Sequence, residues 1–167
     1  MKKISLFIYS LIVAFFLTTS FSSTGKPKSW KPVFMKRAEL EQSVTFIPGK
    51  RLLKNPGKIY CKGDYIYVNE LYKGVHIINN SHPANPVREG FITAPGCVDI
   101  AIKENIIYVD NAVDLVAFDL KSKQVTKRIA DVLPEISPPS GVDVYNYPEL
   151  INRPEEFILV GWEEIVE

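Results

Sequence analysis

Apolar and polar residues alternate with a two-residue period through the middle of this chain, and the alternating stretch occurs twice. Tyr65-Ile66-Tyr67-Val68-Asn69 returns as Ile106-Ile107-Tyr108-Val109-Asp110, 41 positions later. Gly74-Val75-His76-Ile77-Ile78-Asn79 returns as Asp114-Leu115-Val116-Ala117-Phe118-Asp119, 40 positions later. This period puts successive side chains on opposite faces of a strand. The one-residue slip falls in the turn between the two segments, where insertions cost least. Each copy predicts four strands: 58–62, 65–70, 75–80 and 87–93 in the first, and 98–103, 106–111, 114–120 and 125–132 in the second. Gly63-Asp64 and Lys73-Gly74 mark hairpin turns. The loop 81–86 carries two prolines, which cannot donate to a ladder. A repeat of ~40 residues holding four short antiparallel strands is the pattern of a β-propeller blade.

The flanks read differently. Residues 24–32 are polar and proline-bearing and read as a tether. Val33-Phe34-Met35 predicts a short strand, and 37–43 a helix of about two turns built on good helix formers. Beyond the second copy, 133–141 is a proline-rich linker. Gly141-Val142-Asp143-Val144-Tyr145 could open a third unit, but Pro148 and Pro154 interrupt it. Residues 157–162 form a last apolar strand, long enough to complete a sheet begun near Val33. The predicted fold is all-β with a minor helix: two four-stranded antiparallel propeller-like blades, 57–96 and 97–134, with capping flanking strands in 24–56 and 135–167.

The N-terminus has the form of a secretory signal. Lys2 and Lys3 precede an apolar run from Ile4 to Leu17, and Ser20-Phe21-Ser22 offers a small-x-small cleavage site within a signal peptide of 1–23. The run is short for a membrane span of ~20 residues. No cysteine follows it, so a lipid-anchored form is not expected. The expected location is the periplasm or the cell surface, with membrane contact only through the signal segment before cleavage. Once the two lysines leave with the signal, 18 basic side chains face 19 acidic ones. That balance argues against a nucleic-acid or anionic-membrane partner, each of which favours a basic face. Cys61 and Cys97 occupy non-equivalent repeat positions and read as buried, unpaired thiols.

From Gly57-Lys58-Ile59-Tyr60 through Gly74-Val75-His76-Ile77-Ile78-Asn79, and from Val98-Asp99-Ile100 through Asp114-Leu115-Val116-Ala117-Phe118-Asp119, the chain resembles LVIVD repeats. These occur in exported and cell-surface proteins of bacteria and archaea, notably of the Bacteroidetes group. The resemblance covers 57–132, about half the chain, and Ala117-Phe118 departs from the consensus. It implies four-stranded propeller blades and supplies no catalytic residues. Closed propellers have at least ~4 blades, whereas two are visible here. Three completions are open: flanking strands cap the pair, several chains complete a ring, or the chain is a truncated relative; the apolar strand at 157–162 favours capping.

Candidate chemistry is sparse. His76 and His82 are the only histidines and lack ligand spacing, so no metal site and no cofactor is expected. Asp110, Asn111 and Asp114 are the closest approach to a calcium cluster, without the spacing of a calcium loop. Asp99, Asp110 and Asp114 could come together as the paired carboxylates of a hydrolase or lyase. Strand-end aspartates more often close turns on backbone N–H groups, and the repeat equivalence of Asn69 with Asp110 favours that role. Tyr65, Tyr67, Tyr72 and Tyr108 concentrate in the repeats. Tyrosine brings large contact area with a polar tip, which suits a protein or glycan partner at the cell envelope. The expected function is therefore non-enzymatic binding or structure, with these tyrosines, Asp110 and Asp114 as candidate binding residues and a homo-oligomer as one way to complete the blades.

Overall fold

The computed structural model describes residues 29–139 and 142–165; the proposed signal segment lies outside them. Along the chain run β1 (Ser29–Lys36), α1 (Arg37–Glu41), β2 (Thr45–Pro48), β3 (Pro56–Lys62), β4 (Tyr65–Glu70), β5 (Gly74–Asn79) and β6 (Val87–Thr93). They are followed by β7 (Ile100–Lys103), β8 (Ile106–Asn111), β9 (Asp114–Asp119), β10 (Gln124–Ile129), a 3-10 turn (Val144–Asn146), α2 (Pro148–Ile151) and β11 (Phe157–Ile165). The protein is mostly β, and its sheets are antiparallel. A first sheet has the order β2-β6-β5-β4-β3, a second β10-β9-β8-β7, and β1 pairs with β11 in a two-stranded ribbon. None of the described sheets closes on itself.

Two sequence expectations are corrected. The first sheet has five strands, because Thr45–Pro48 adds to β6 with Thr45 opposite Thr93 and Ile47 opposite Phe91. An outer edge tolerates its proline, since that side of the strand needs no donor. The expected tether is strand from Ser29 onward, paired with β11 as far as Ile165. Residues 144–146 form a 3-10 turn, in keeping with the prolines that interrupt a third unit there.

The two meanders β3–β6 and β7–β10 share local detail. Gly63 and Glu104, in the first hairpin of each, both adopt left-handed backbone with φ of 54° and 53°. Tyr72 and Ala112, in the second hairpin, do so at 62° and 57°. Three residues link β4 to β5 and two link β8 to β9, which accounts for the change of offset from 41 to 40. The fourth strand of each carries a bulge at the same place, opposite Ile77/Ile78 in one and Ala117/Phe118 in the other.

The sheets stack front to back. Strand alternation puts Ile66, Val68, Glu70 and His76 on the front of the first sheet, and Tyr65, Tyr67, Asn69, Val75 and Ile77 on its back. At the corresponding front positions the second sheet carries Ile107, Val109, Asn111, Val116 and Phe118. The main core joins the back of the first sheet to the front of the second: Tyr67, Val75, Ile77 and Ile92 against Ile102, Ile107, Val109, Val116 and Phe118. Each such aliphatic or aromatic side chain contributes about 1.5–3 kcal/mol on burial. Part of the first sheet's front is covered by residues 49–55. Arg51 lies over the Phe91 ring at 4.2 Å, with its Nε 3.7 Å from Glu70 Oε2, and Glu70 Oε2 in turn lies 2.7 Å from His76 Nε2.

A second core lies under the ribbon, where Leu159, Val160 and Trp162 of β11 meet Leu40 of α1, Ile136, Ala112 and Tyr72. The Tyr147 hydroxyl donates to the Trp30 carbonyl at 2.7 Å, and the Tyr147 ring meets Trp162 edge to face at 5.4 Å. The ribbon therefore caps the two second hairpins of the meanders. Gly161 makes this approach possible: with φ of 153°, a Cβ there would sit 2.7 Å from Tyr72 Cβ and Cγ.

Candidate functional site: an inter-sheet cleft

At the opposite end from the ribbon, where the first hairpins of both meanders lie, the two sheets leave a cleft of about 410 Å³. Tyr65, Tyr67, Ile77 and Glu89 of the first sheet face Leu120 and the turns holding Glu104, Lys121 and Lys123. Residues at positions 65, 67 and 77 reach it because all three point to the back of the first sheet, Tyr67 opposite Ile77 and Tyr65 opposite Asn79. The tyrosine rings are 6.2 Å apart and tilted by 33°.

Glu89 is the extra residue of the β6 bulge, between Arg88 opposite Ile78 and Gly90 opposite Ile77. A bulge re-aims one side chain out of strict alternation, and here it turns the carboxylate toward Tyr65 and Asn79. Glu89 Oε1 accepts from Asn79 Nδ2 at 2.9 Å and from the Tyr65 hydroxyl at 3.3 Å. The neighbouring Glu89 charge raises the Tyr65 pKa above its ordinary value. Burial does the same to Tyr67, with added contributions from Tyr65 and Glu89. Tyr67 is only 6% exposed, and its hydroxyl bonds to no described residue; neither does Glu89 Oε2. The Tyr67 hydroxyl and Glu89 Oε2 thus line one cleft, close enough for the Glu89 charge to act on Tyr67, and neither has a partner among the described residues. Lys62, Lys121 and Lys123 stand against Asp64, Glu89 and Glu104 around the cleft, so its fixed charges balance.

The remaining expected residues do not join this site. Tyr72 belongs to the second core beneath Gly161. Tyr108 and Asp110 lie on the back of the second sheet. Burial pushes the Asp110 carboxyl up, and its Oδ2 accepts the Asp99 N–H at 2.8 Å. Asp114 points to the front, fully buried. It is clamped by Arg37 Nη1 and Arg128 Nη1, each at 2.7 Å, and by the Asp131 N–H at 3.1 Å. Asp110 and Asp114 therefore sit on opposite faces of one sheet, whereas Asp99 and Asp110 are neighbours, and the Asp99 charge adds to the rise of the Asp110 carboxyl. Cys97 is buried, where burial pushes its thiol far up and Asn69 Nδ2 donates to Sγ at 3.0 Å; Cys61 is exposed, contrary to the sequence expectation, and neither is in a disulfide. Among the described residues no group of three or more His, Cys, Asp and Glu side chains is placed to hold a metal ion, and no helix is long and apolar enough to cross a membrane.

Sequence reasoning found Tyr65 and Tyr67 and missed Glu89, Asn79 and the lysines of the rim. The Val87-Arg88-Glu89-Gly90 stretch does carry a signal, a glycine beside a break in alternation, which marks bulges. No protein-family model matches the chain, and neither a curated protein nor a solved structure matches it.

Proposed function

We propose that this is an exported, non-enzymatic binding module of the cell envelope, built from two LVIVD-like propeller blades, whose inter-sheet cleft takes a short, uncharged glycan. Front-to-back stacking supports the blade reading, since successive blades of a propeller meet through non-equivalent faces, whereas a two-fold sandwich joins equivalent ones. One observation carries the binding reading: the unpartnered Tyr67 hydroxyl beside the free oxygen of Glu89. A carboxylate oxygen accepts sugar hydroxyls, a phenol can donate to or accept from them, and the tyrosine rings offer apolar faces. Balanced charge around the cleft favours a neutral polar ligand over an anion or a cation. Export rests on the N-terminal segment.

The test is a screen of neutral oligosaccharides against the purified protein, followed by calorimetry with any that bind. Tyr67→Phe removes one neutral hydrogen bond and should weaken binding by about 0.5–1.5 kcal/mol, and Glu89→Gln by about 1.5–3 kcal/mol. Glycan binding indifferent to both substitutions, or no glycan binding at all, overturns the reading.

A further inference from the structure

We propose that copies of this chain assemble head to tail, the front of one first sheet packing on the back of the next copy's second sheet. The inference rests on the repeat correspondence and is independent of what the cleft binds.

The molecule contains its own template for that contact. Within one chain, the front of the second sheet is buried against the back of the first. The front of the first sheet offers the equivalent residues, displaced by about one repeat. Ile59 stands for Ile100, Cys61 for Ile102, Ile66 for Ile107 and Ile78 for Phe118. The second-sheet members of these pairs are buried in the main core. In the first sheet Ile59 is 64% exposed, Cys61 is exposed, and Ile66 and Ile78 are only partly covered. A row of apolar side chains on one face of a sheet is a surface made for packing.

The complementary surface is open as well. On the back of the second sheet Tyr108 takes the place of Tyr67, Leu115 that of Val75 and Ala117 that of Ile77. The first-sheet members are buried, and the second-sheet members are only partly covered.

Two polar contacts of the internal seam have counterparts in the proposed one, the ion pair with its charges exchanged between the two sides. Inside the chain, Lys58 forms an ion pair with Asp99, and the Lys62 ammonium donates to the Glu104 carbonyl. Between copies the same two roles fall to Asp99 facing Lys58 and to Lys103 facing the Gly63 carbonyl. Gly63 and Glu104 share their left-handed backbone, so that carbonyl belongs to the same kind of turn. Residues 49–55 cover the part of the front near Glu70, His76 and Phe91. The contacts just named lie along β3 and β7, where the front is open.

Such a contact is heterologous, and it closes into a ring if the rotation per copy allows. Known propellers have about 4–8 blades, which corresponds to two to four copies here.

The experiment is light scattering on the full chain, purified after export, beside two variants. Ile59→Lys charges the front and Tyr108→Lys the back; Ala101→Lys, at an exposed back position, replaces the latter if circular dichroism shows it unfolded. The wild type should have two to four times the monomer mass, or form longer arrays, and each variant alone should be monomeric. Mixed, they should form a dimer, because the intact front of Tyr108→Lys meets the intact back of Ile59→Lys. A monomeric wild type overturns the proposal. So does an oligomer that survives either substitution, or a pair of monomeric variants that do not combine, since that outcome marks a contact between identical faces.

Discussion

Replacing Asp114 with Asn should unfold this protein more readily than any other isosteric change to a carboxylate in the repeats. The side chain is fully buried and joins three separate pieces of chain: Arg37 at the start of α1, Arg128 in β10, and the Asp131 amide beyond it. Removing one partner of a buried ion pair costs about 3–5 kcal/mol, because the other charge is stranded. Both arginines retain some contact with solvent here, with side-chain exposures of 24% and 16%. They can recover part of their hydration, so the expected loss is about 2–4 kcal/mol. Urea denaturation followed by fluorescence of Trp30 and Trp162 should then show a midpoint lower by roughly 1–2 M, for a mid-range denaturant slope of about 2 kcal/mol/M. Acid supplies an internal control. Burial pushes the Asp114 carboxyl up, but Arg37, the Asp131 amide and Arg128 together hold it below the usual carboxylate range. A depressed carboxyl stabilises the fold fully above its unfolded value of about 4 and stops doing so as pH falls through the folded one. The gap between wild type and variant should therefore be constant above about pH 5 and narrow below pH 4. A gap under about 1 kcal/mol at neutral pH, or one that does not narrow in acid, refutes the reasoning.

Two further outcomes test the packing. Gly161→Ala should destabilise the fold by about 2–4 kcal/mol, since the new methyl meets Tyr72 at 2.7 Å and the backbone is left-handed; a melting temperature within a degree of wild type would mean the ribbon does not rest on Tyr72. A thiol reagent should titrate Cys61 at once in the native protein and Cys97 only after denaturant is added; two fast-reacting thiols in the native state would contradict the burial of Cys97 and its bond from Asn69.

The strands of the two meanders were legible because their cores are made of β-branched and aromatic residues at period two, a pattern that survives without any knowledge of partners. Even the slip between copies was placed correctly in the second hairpin. The outer strand β2 was not legible: Thr-Phe-Ile-Pro is four residues long, and it becomes a strand because β6 offers an edge. Cys61 lies one repeat from Ile102, a core position, and that equivalence makes it look buried. The equivalence holds, but the surroundings differ, since nothing described packs on that part of the first sheet. Tyr72 is one of the tyrosines concentrated in the repeats, and only the fold brings Gly161 over it. The cleft was half legible, its tyrosines following from alternation while Glu89 entered through a bulge that alternation cannot represent.

The places where the two copies differ show how the stack ends. Gly74 and Asp114 occupy the same hairpin position, yet they are chemically opposed. In the first sheet, β6 runs on through Thr93-Ala94-Pro95-Gly96 into the second sheet, so its backbone presses against position 74. A Cβ there would collide with the Ile92 carbonyl oxygen and the Ala94 nitrogen, and only glycine fits. In the second sheet, β10 leads to no further meander among the described residues. Its chain leaves through Asp131, and the space that backbone fills in the first copy holds a carboxylate. Once a side chain could stand there, charge could do what backbone contact does in the first copy. Asp114 ties β9 to β10 through Arg128 and to the N-terminal helix through Arg37, and Arg37 also reaches Asp131. The same exchange appears one strand earlier. Glu70 on the front of the first sheet holds His76 and Arg51, whereas its equivalent Asn111 accepts from Arg128 and donates to the Pro95 carbonyl. The second copy thus spends its polar front positions on anchoring α1 and β10, and its back face is left as plain strand surface. A unit secured on one side and open on the other is what the proposed head-to-tail array would require of its repeating part.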